Sequence, residues 1–338
     1  MDESRYIDAV AERWGLVRHH ILADGFWAFK PLKDRGIVLG QPYPVPFQAR
    51  HEALLQEARS AGVRVVMTGE GGDELLLAGF GYLLDLMRGL HLARLFTELK
   101  YLVPRSRLDF LRVALWSLVP GPVHRAYTRV RTRPVPQWLD QGFVRASGAL
   151  DISDPTPPRN CSSSIYWRGL YLGLSNLPRL PYLSYITEMY AHHGIEARHP
   201  FLDLRVVDFL SRVPAHLKFS RGWSKFVLRK ATQGLLPDQV RLRPRKSAFS
   251  QVFDQGVREE RTRIESYLRA GYLADLGWVK KDMVWGLYQR YLLGDRSRSI
   301  YLISLITLED WLFTNFGSNA SGAYKGLPLA CPVWAREG

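Results

Sequence analysis

The spacing of apolar and polar residues predicts a short α/β layer in the first part of the chain. Asp2–Trp14 places its apolar residues on one helical face, and Gly15 ends that helix. Leu16–Leu22 then reads as a short strand and Phe47–Ser60 as a second helix. The β-branched run Val63–Met67 predicts a strand that is buried on both faces, as in a parallel sheet. This strand–helix–strand order predicts a parallel α/β layer.

Helical periodicity dominates after this layer, and no internal repeat interrupts it. It predicts helices at Tyr82–Leu102, Leu108–Val119, Tyr182–His193, Leu204–Arg212, Ser224–Leu235, Val257–Leu268, Lys281–Leu293 and Ile300–Phe316. We therefore expect residues 1–90 to form the α/β layer and residues 91–316 a helical part of the same domain, with an irregular tail at 317–338. Asp24–Pro46, which contains four prolines, is expected to be irregular.

Composition indicates a globular protein of a reducing compartment. The 338 residues are 46% apolar, and the two cysteines fit neither a metal site nor a disulfide framework. The start of the chain shows no signal-peptide pattern. The apolar stretches Leu111–Val119 and Ile300–Leu308 are too short to span a bilayer and are expected to be buried helices. The expectation is a cytoplasmic protein with no membrane partner.

The net charge of +14 favours anionic partners such as nucleotides or acidic peptides. Basic residues cluster at Arg129–Arg133 and Arg241–Lys246, yet no nucleic-acid-binding module accompanies them. We therefore expect no nucleic-acid partner. A solvated basic surface explains most of these arginines equally well.

The strongest chemical signal follows the predicted strand Val63–Met67. There the segment Thr68–Glu74 alternates glycines with carboxylates: Gly69, Glu70, Gly71, Gly72, Asp73 and Glu74. The carboxyl ends of strands are where open α/β sheets bind ligands. A helix-like run, Leu75–Leu90, would begin at the same place. Carboxylates beside an anion-favouring helix start indicate Mg²⁺ with phosphates, whereas the alternative interpretation is an acidic turn that caps a helix.

Two later stretches also contain candidate functional residues. Gly194–Asp203 predicts a proline-fixed turn before a helix that Asp203 caps, with Glu196 and Arg198 as a buried ion pair that organises the turn. Arg241–Ser250 is a basic loop whose lysine would stabilise negative charge in a transition state. The nearby histidines lack the partners of a metal site.

Together these stretches resemble four motifs of the synthetase domain of glutamine-dependent asparagine synthetases. Thr68–Glu74 is similar to S-G-E-G-x-D-E, and Gly194–Asp203 to G-x-E-x-R-x-P-F-L-D. Trp223–Arg229 is similar to T-K-x-x-L-R, and Arg245–Phe249 to the lysine loop of that family. Relatives of these enzymes include β-lactam synthetases and lasso-peptide macrolactam cyclases. The resemblance covers roughly residues 1–316.

The resemblance implies an adenine nucleotide α-hydrolase-like fold that uses ATP and Mg²⁺ to adenylate a carboxylate, after which an amine displaces AMP. Glu70 would lie near the reacting carboxylate or amine as a general base or proton-handling group, and Lys246 would stabilise the pentavalent and tetrahedral intermediates. Asp73 would be the Mg²⁺ ligand, and Gly69, Gly71 and Gly72 would form the floor under the pyrophosphate. Glu196, Arg198 and Asp203 would be scaffold.

The sequence also departs from that family. No S-G-G-x-D-S pyrophosphate loop lies upstream of Val63, and the partial match at Ser147–Ser153 follows the acidic motif instead of preceding it. The leading cysteine of the glutaminase is absent, because residue 2 is Asp. We therefore expect an N-terminally incomplete fold: a truncated frame, a degenerate relative, or half of a split enzyme whose second chain supplies the loop or the glutaminase.

Two functional hypotheses follow. The first is an ATP-dependent amide-forming ligase that uses either aspartate or the carboxylate of a precursor peptide. Features such as His199, Gly72 and Trp138–Asp140 favour the peptide-cyclase-like branch. The alternative is a catalytically inactive relative that binds a peptide or a partner chain.

Overall fold

The computed structural model describes residues 3–31, 42–43, 46–117, 135–148, 164–176, 181–243 and 250–316. Its helices are α1 Ser4–Trp14, α2 Gln48–Ser60, α3 Gly72–Leu76, α4 Gly79–Arg88, α5 Leu92–Tyr101, α6 Pro104–Ser117, α7 Gln141–Ala146, α8 Ile165–Asn176, α9 Pro181–His192, α10 Leu204–Arg212, α11 Ala215–Lys218, α12 Phe226–Ala231, α13 Asp238–Arg241, α14 Ser250–Glu259, α15 Arg261–Ala270, α16 Tyr272–Asp275, α17 Lys281–Leu292 and α18 Ser299–Phe316. The strands are β1 Val65–Met67, β2 Glu196–Arg198, β3 Phe219–Ser220 and β4 Trp223–Ser224. Short 3-10 turns lie at Ala23–Gly25 and Pro200–Leu202. The described part is mostly helical with a small parallel sheet, which is consistent with an α/β fold.

The first predicted helix is confirmed, and the strand predicted after it is wrong. Helix α1 ends at Gly15, whose φ of 60° is the left-handed conformation that glycine adopts without strain. Leu16–Leu22 contains neither helix nor strand. Its side chains instead contact neighbouring helices, with His19 Nδ1 lying 3.0 Å from a carboxylate oxygen of Glu57. A strand needs a partner for its backbone groups, and no described strand lies beside this segment.

Strands β1 and β2 form a parallel pair, as the α/β pattern predicts. Val65 aligns with Glu196 and Met67 with Arg198. Burial on both faces was the wrong expectation, however, because Val65 is 38% exposed and Met67 is 75% exposed. Val66, on the opposite face, packs against residues of α2 and α9. Helices of the described part therefore cover one face of this pair.

In the helical part, several helices end or divide at positions that the periodicity did not predict. The predicted helix Leu75–Leu90 divides into α3 and α4, and Tyr82–Leu102 divides at Gly89 into α4 and α5. The predicted helix Ser224–Leu235 shortens to α12, which follows the β3–β4 hairpin, and Val257–Leu268 divides between α14 and α15. Helices α7 and α8 lie where no helix was predicted.

The apolar stretch Leu111–Val119 is not the buried helix that was expected. Helix α6 covers it as far as Ser117, and there Leu111 and Leu115 are exposed while Ala114 is buried. Helix α18 does bury its centre, including Leu302 and Ile306, in the largest apolar cluster. No helix in the described ranges combines the length and apolarity that crossing a membrane requires.

A polar network joins the segment before α2 to the last helices. Arg263 on α15 hydrogen-bonds the carboxylates of Glu260 and Asp310 and the carbonyl of Phe29. Trp27 donates to Glu260 over 2.7 Å. Because these partners are far apart in the sequence, the conformation of the early segment depends on helices near the other end of the chain.

Two apolar clusters position the end of β1. One contains Leu55 of α2 and Tyr185 and Met189 of α9, and it packs under Val66. The other contains Leu75 and Leu76 of α3 together with residues of α10 and α12. The acidic glycine segment Thr68–Glu74 therefore lies between them, with its ends held by both.

Candidate active site

The first residue of the acidic segment, Thr68, contacts the second of the four motifs, Gly194–Asp203. Thr68 donates its backbone N–H to the carbonyl of Arg198 over 2.8 Å, which continues the β1–β2 ladder by one residue. The hydroxyl of Thr68 lies 2.6 Å from Nδ1 of His199. Two stretches that the sequence singled out separately are therefore adjacent in space.

The glycines of the segment have different surroundings. Gly71 has φ +83° and a Cβ added there would overlap the side chain of Leu202, while a Cβ at Gly72 would lie 3.2 Å from the ring of Phe201. Both glycines are thus explained by packing against the 3-10 turn of the second motif. A Cβ at Gly69 would meet nothing within 4 Å, so among these three only Gly69 faces open space.

The helix that begins at this segment is short. Helix α3 has five residues, and its chain bends at Leu77 before α4 begins. The macrodipole of a long helix, which Leu75–Leu90 was expected to supply, is therefore not present at this position.

Glu70 lies half-buried beside the aromatic end of α9. Its carboxylate accepts a hydrogen bond from the phenol of Tyr182. Burial raises the pKa of Glu70, and the negative charges of Glu74 and Asp73 raise it further, while His199 and the Tyr182 hydrogen bond oppose the shift. The same burial, together with Glu70, raises the pKa of Tyr182 to about 12. Glu70 therefore holds a proton more readily than a free carboxylate does.

Arg50 of α2 interacts electrostatically with Tyr182. Burial lowers the pKa of its guanidinium, and the partial negative charge of Tyr182 opposes that shift. Tyr182 therefore interacts both with the guanidinium of Arg50 and with the carboxylate of Glu70. Tyr182 and Arg50 were not singled out in the sequence, since helical periodicity placed both in ordinary amphipathic helices.

Asp73 faces the third motif. The ammonium of Lys225 lies 2.5 Å from Oδ1 of Asp73, and both side chains are partly exposed. Lys225 precedes α12 and belongs to Trp223–Arg229, the stretch that resembles T-K-x-x-L-R. Glu74 lies near α8, where a Cβ at Gly173 would be 4.0 Å from its Cγ.

The second motif, Gly194–Asp203, forms the helix cap that was expected, but its ion pair is not buried. The side chain of Asp203 accepts from the backbone N–H of Arg205 and caps α10. Hydrogen bonds from Arg205 lower the pKa of Asp203 to about 2. Glu196 and Arg198 form the expected ion pair at 2.8 Å, but its side chains are 59% exposed instead of buried.

The lysine loop lies largely outside the described residues, and Lys246 is among those not described. The chain that enters the loop is held by Arg229 of α12, which donates to the carbonyl of Arg243 over 3.1 Å. The partial match Ser147–Ser153 also extends beyond the described residues.

The described side chains of this site would bind a metal ion only if phosphate oxygens supplied further ligands. The described residues contain no group of three or more His, Cys, Asp or Glu side chains arranged to hold a metal ion. Mg²⁺ commonly takes one or two protein carboxylates with phosphate oxygens and water. Asp73, with Glu70 and Glu74 nearby, fits that donor set for a metal that arrives with a nucleotide.

Comparison with known proteins identifies the family to which the chain belongs. Asparagine synthetase [glutamine-hydrolyzing] 1 of Bacillus subtilis (strain 168) is 29% identical over 118 residues, which are 34% of this chain and 18% of that relative. The match therefore spans well under two thirds of the relative's length. No solved structure matches the chain. Residues 1–313 match the family described as asparagine synthase, and the chain therefore belongs to the asparagine synthase family.

Proposed function

We propose that this chain binds ATP at the acidic segment and belongs to a ligase that adenylates a carboxylate and transfers the acyl group to an amine. The observation that supports this most is the meeting of three separate motifs at the end of β1: Thr68 bonds to the second motif and Asp73 to Lys225 of the third. Enzymes of this family depend on ATP. The fold proposed for the nucleotide site is that of the adenine nucleotide α-hydrolases, with residues 1–90 as its remaining α/β layer and residues 91–316 as the helical part.

The residues of the site have distinct proposed roles. In the first step the substrate carboxylate attacks the α-phosphate and pyrophosphate leaves. In the second step the amine attacks the acyl adenylate, AMP leaves, and the proton of the amine passes to Glu70, whose raised pKa suits a base. Tyr182 would hold the Glu70 carboxylate in position, and Arg50 would act on Tyr182. Lys246 is proposed to stabilise both charged intermediates.

The proposed contacts to ATP involve the segment and its carboxylates. Gly69 would admit a phosphate close to the backbone, because a side chain is absent from a position with open space around it. Gly71 and Gly72 would shape the same floor from beneath through their packing. Asp73 would hold Mg²⁺, which when bound neutralises negative charge on the phosphates.

The substrate carboxylate is proposed to be either that of aspartate or that of a side chain in a precursor peptide, where the product would be a macrolactam. The positive net charge of +14 suits a peptide that presents acidic residues. Carboxylate-dependent exchange of labelled pyrophosphate into ATP tests this function. Exchange that requires aspartate or an acidic peptide would support adenylation of that carboxylate. Glu70→Gln should retain this exchange and lose formation of the amide product, as its role in the second step requires.

The second candidate function is that of a binding or partner subunit without activity of its own. The observation that favours it is the uncovered side of β1, where Val65 and Met67 are exposed and the edge opposite β2 is unpaired among the described strands. Such an edge can accept a strand from another polypeptide, and that polypeptide would supply a pyrophosphate loop. Two results together would support this function over the ligase. The chain would bind no nucleotide, and its association with a second polypeptide, measured by sedimentation, would be weakened by Met67→Lys.

A further inference from the structure

Lys225 is held in an uncommon backbone conformation. Its φ of 55° lies in the left-handed region, which residues other than glycine seldom adopt. The preceding hairpin enforces it. A Cβ at Gly222 would lie 2.7 Å from the carbonyl oxygen of Tyr101, and the buried carboxylate of Glu98 accepts the N–H of Arg221 over 2.6 Å. Strained backbone that its surroundings determine is characteristic of functional positions.

This conformation directs the lysine side chain to the acidic segment. Its ammonium lies 2.5 Å from Oδ1 of Asp73, so the two side chains form a direct ion pair. Asp73 is the carboxylate proposed to bind Mg²⁺ with the nucleotide. A metal ion on the same oxygen would stand close to the ammonium, and two cations so placed repel each other.

We propose that Lys225 is a resident counter-ion of Asp73 in the nucleotide-free site, and that the arriving metal–nucleotide displaces its ammonium from Asp73 toward the phosphates. This inference rests on the proposed function. It makes the site selective: a metal ion alone competes with Lys225, whereas a metal ion with a triphosphate gives the displaced ammonium a new anionic partner. The acidic segment would thus bind a metal nucleotide while rejecting the free metal.

The test measures Mn²⁺ alone as a probe, by the loss of its free-ion spin-resonance signal, in the full chain. Lys225→Met keeps the aliphatic stem and removes the charge, and we expect Mn²⁺ to bind about tenfold more tightly. Lys225→Arg should behave as the wild type. Lys230 is an exposed residue of α12, the helix that follows Lys225. Lys230→Met is therefore the control for net charge, and its Mn²⁺ affinity should change little. When Lys225→Met is combined with Asp73→Asn, the gain in Mn²⁺ affinity should disappear.

A second arm measures a non-hydrolysable ATP analogue with Mg²⁺ by calorimetry. There Lys225→Met should bind about tenfold more weakly than the wild type, the opposite direction from the first arm. Equal Mn²⁺ affinity in the wild type and Lys225→Met would contradict the proposed role of Lys225 as counter-ion. An equal gain in Mn²⁺ affinity in Lys230→Met would contradict it as well. If no variant binds the nucleotide but Lys225→Met still gains Mn²⁺ affinity, the resident counter-ion holds while the nucleotide function fails.

Discussion

Gly71 should tolerate no side chain, for two reasons that mutagenesis can separate. Its φ of +83° costs an alanine about 1–2 kcal/mol in backbone strain. The added methyl group would also overlap Leu202, and accommodating an extra methyl in packed surroundings costs about 1–3 kcal/mol. Together these predict that Gly71→Ala lowers the free energy of unfolding by about 2–5 kcal/mol.

Gly62 is a matched control that isolates the backbone contribution. It has φ +73°, close to that of Gly71, and a Cβ there would meet nothing within 4 Å. Gly62→Ala should therefore cost only about 1–2 kcal/mol. Urea unfolding of both variants, followed by far-ultraviolet circular dichroism, gives the difference between them.

A double-mutant cycle with Leu202 identifies the source of that difference. Leu202→Ala removes the side chain that the methyl group would strike, so Gly71→Ala should cost less in that background than in the wild type, by about 1–3 kcal/mol. If Gly71→Ala is no more destabilising than Gly62→Ala, or if the two changes are additive, the packing of the acidic segment on the second motif is not what requires this glycine.

Three further predictions concern the site and its supports. Tyr182→Phe removes the hydrogen bond that lowers the pKa of Glu70, so the acid limb of the pH profile of amide formation should move to higher pH, with a rate loss of about tenfold near that limb. Glu309, buried on α18, has its pKa raised to about 7 by desolvation, and an acid with a raised folded-state pKa stabilises the fold at low pH and loses that contribution as pH rises from 4.5 through 7. Glu309→Gln should therefore be more stable than the wild type above pH 7, by up to about 3 kcal/mol, in thermal unfolding across pH. Asp85 accepts hydrogen bonds from the side chain of Ser164 and from the first two N–H groups of α8, so Asp85→Ala should cost about 2 kcal/mol in urea unfolding.

Each of these has an outcome that contradicts it. An unchanged pH profile in Tyr182→Phe would mean that the phenol does not set the protonation of Glu70. A constant stability difference between Glu309→Gln and the wild type from pH 4 to pH 8 would mean that Glu309 does not titrate on unfolding as its burial implies. Asp85→Asn is the control for the third, because an amide oxygen retains part of the cap, and it should lose less stability than Asp85→Ala.

Local signals in the sequence predicted the helices with clear ends. Leu204–Arg212 was predicted with both of its boundaries, because Asp203 caps it and its periodicity is strong. Gly15 likewise ended α1. The breaks at Leu77 and Gly89 were missed because apolar residues continue through them at helical spacing, so the periodicity alone does not show the bend.

The strands were harder to predict because pairing depends on residues far along the chain. Leu16–Leu22 has a strand-like composition but no partner among the described strands, so it remains irregular. Glu196–Arg198 pairs with β1 although its charged ends gave no strand signal. Burial on both faces of β1 would need cover on its second side, which the described helices do not supply.

In the candidate site, too, local patterns were predictable from the sequence, whereas contacts between distant residues were not. The segment Thr68–Glu74 was found from its own residues, since glycines and carboxylates at a strand end are a local pattern. Lys225 lay within a stretch that resembled a family motif, but its pairing with Asp73 depends on the β3–β4 hairpin. Tyr182 and Arg50 gave no local signal, because Tyr182 reaches Glu70, and Arg50 reaches Tyr182, only through the packing of the fold.

The proposal that the acidic segment binds a metal nucleotide is tested most directly by titrating ATP with Mg²⁺ into the purified chain by calorimetry. The wild type should bind in the micromolar range, and Asp73→Asn should lose that binding although its fold, checked by circular dichroism, is intact. Absence of binding in the wild type, or equal binding in Asp73→Asn, would contradict the account.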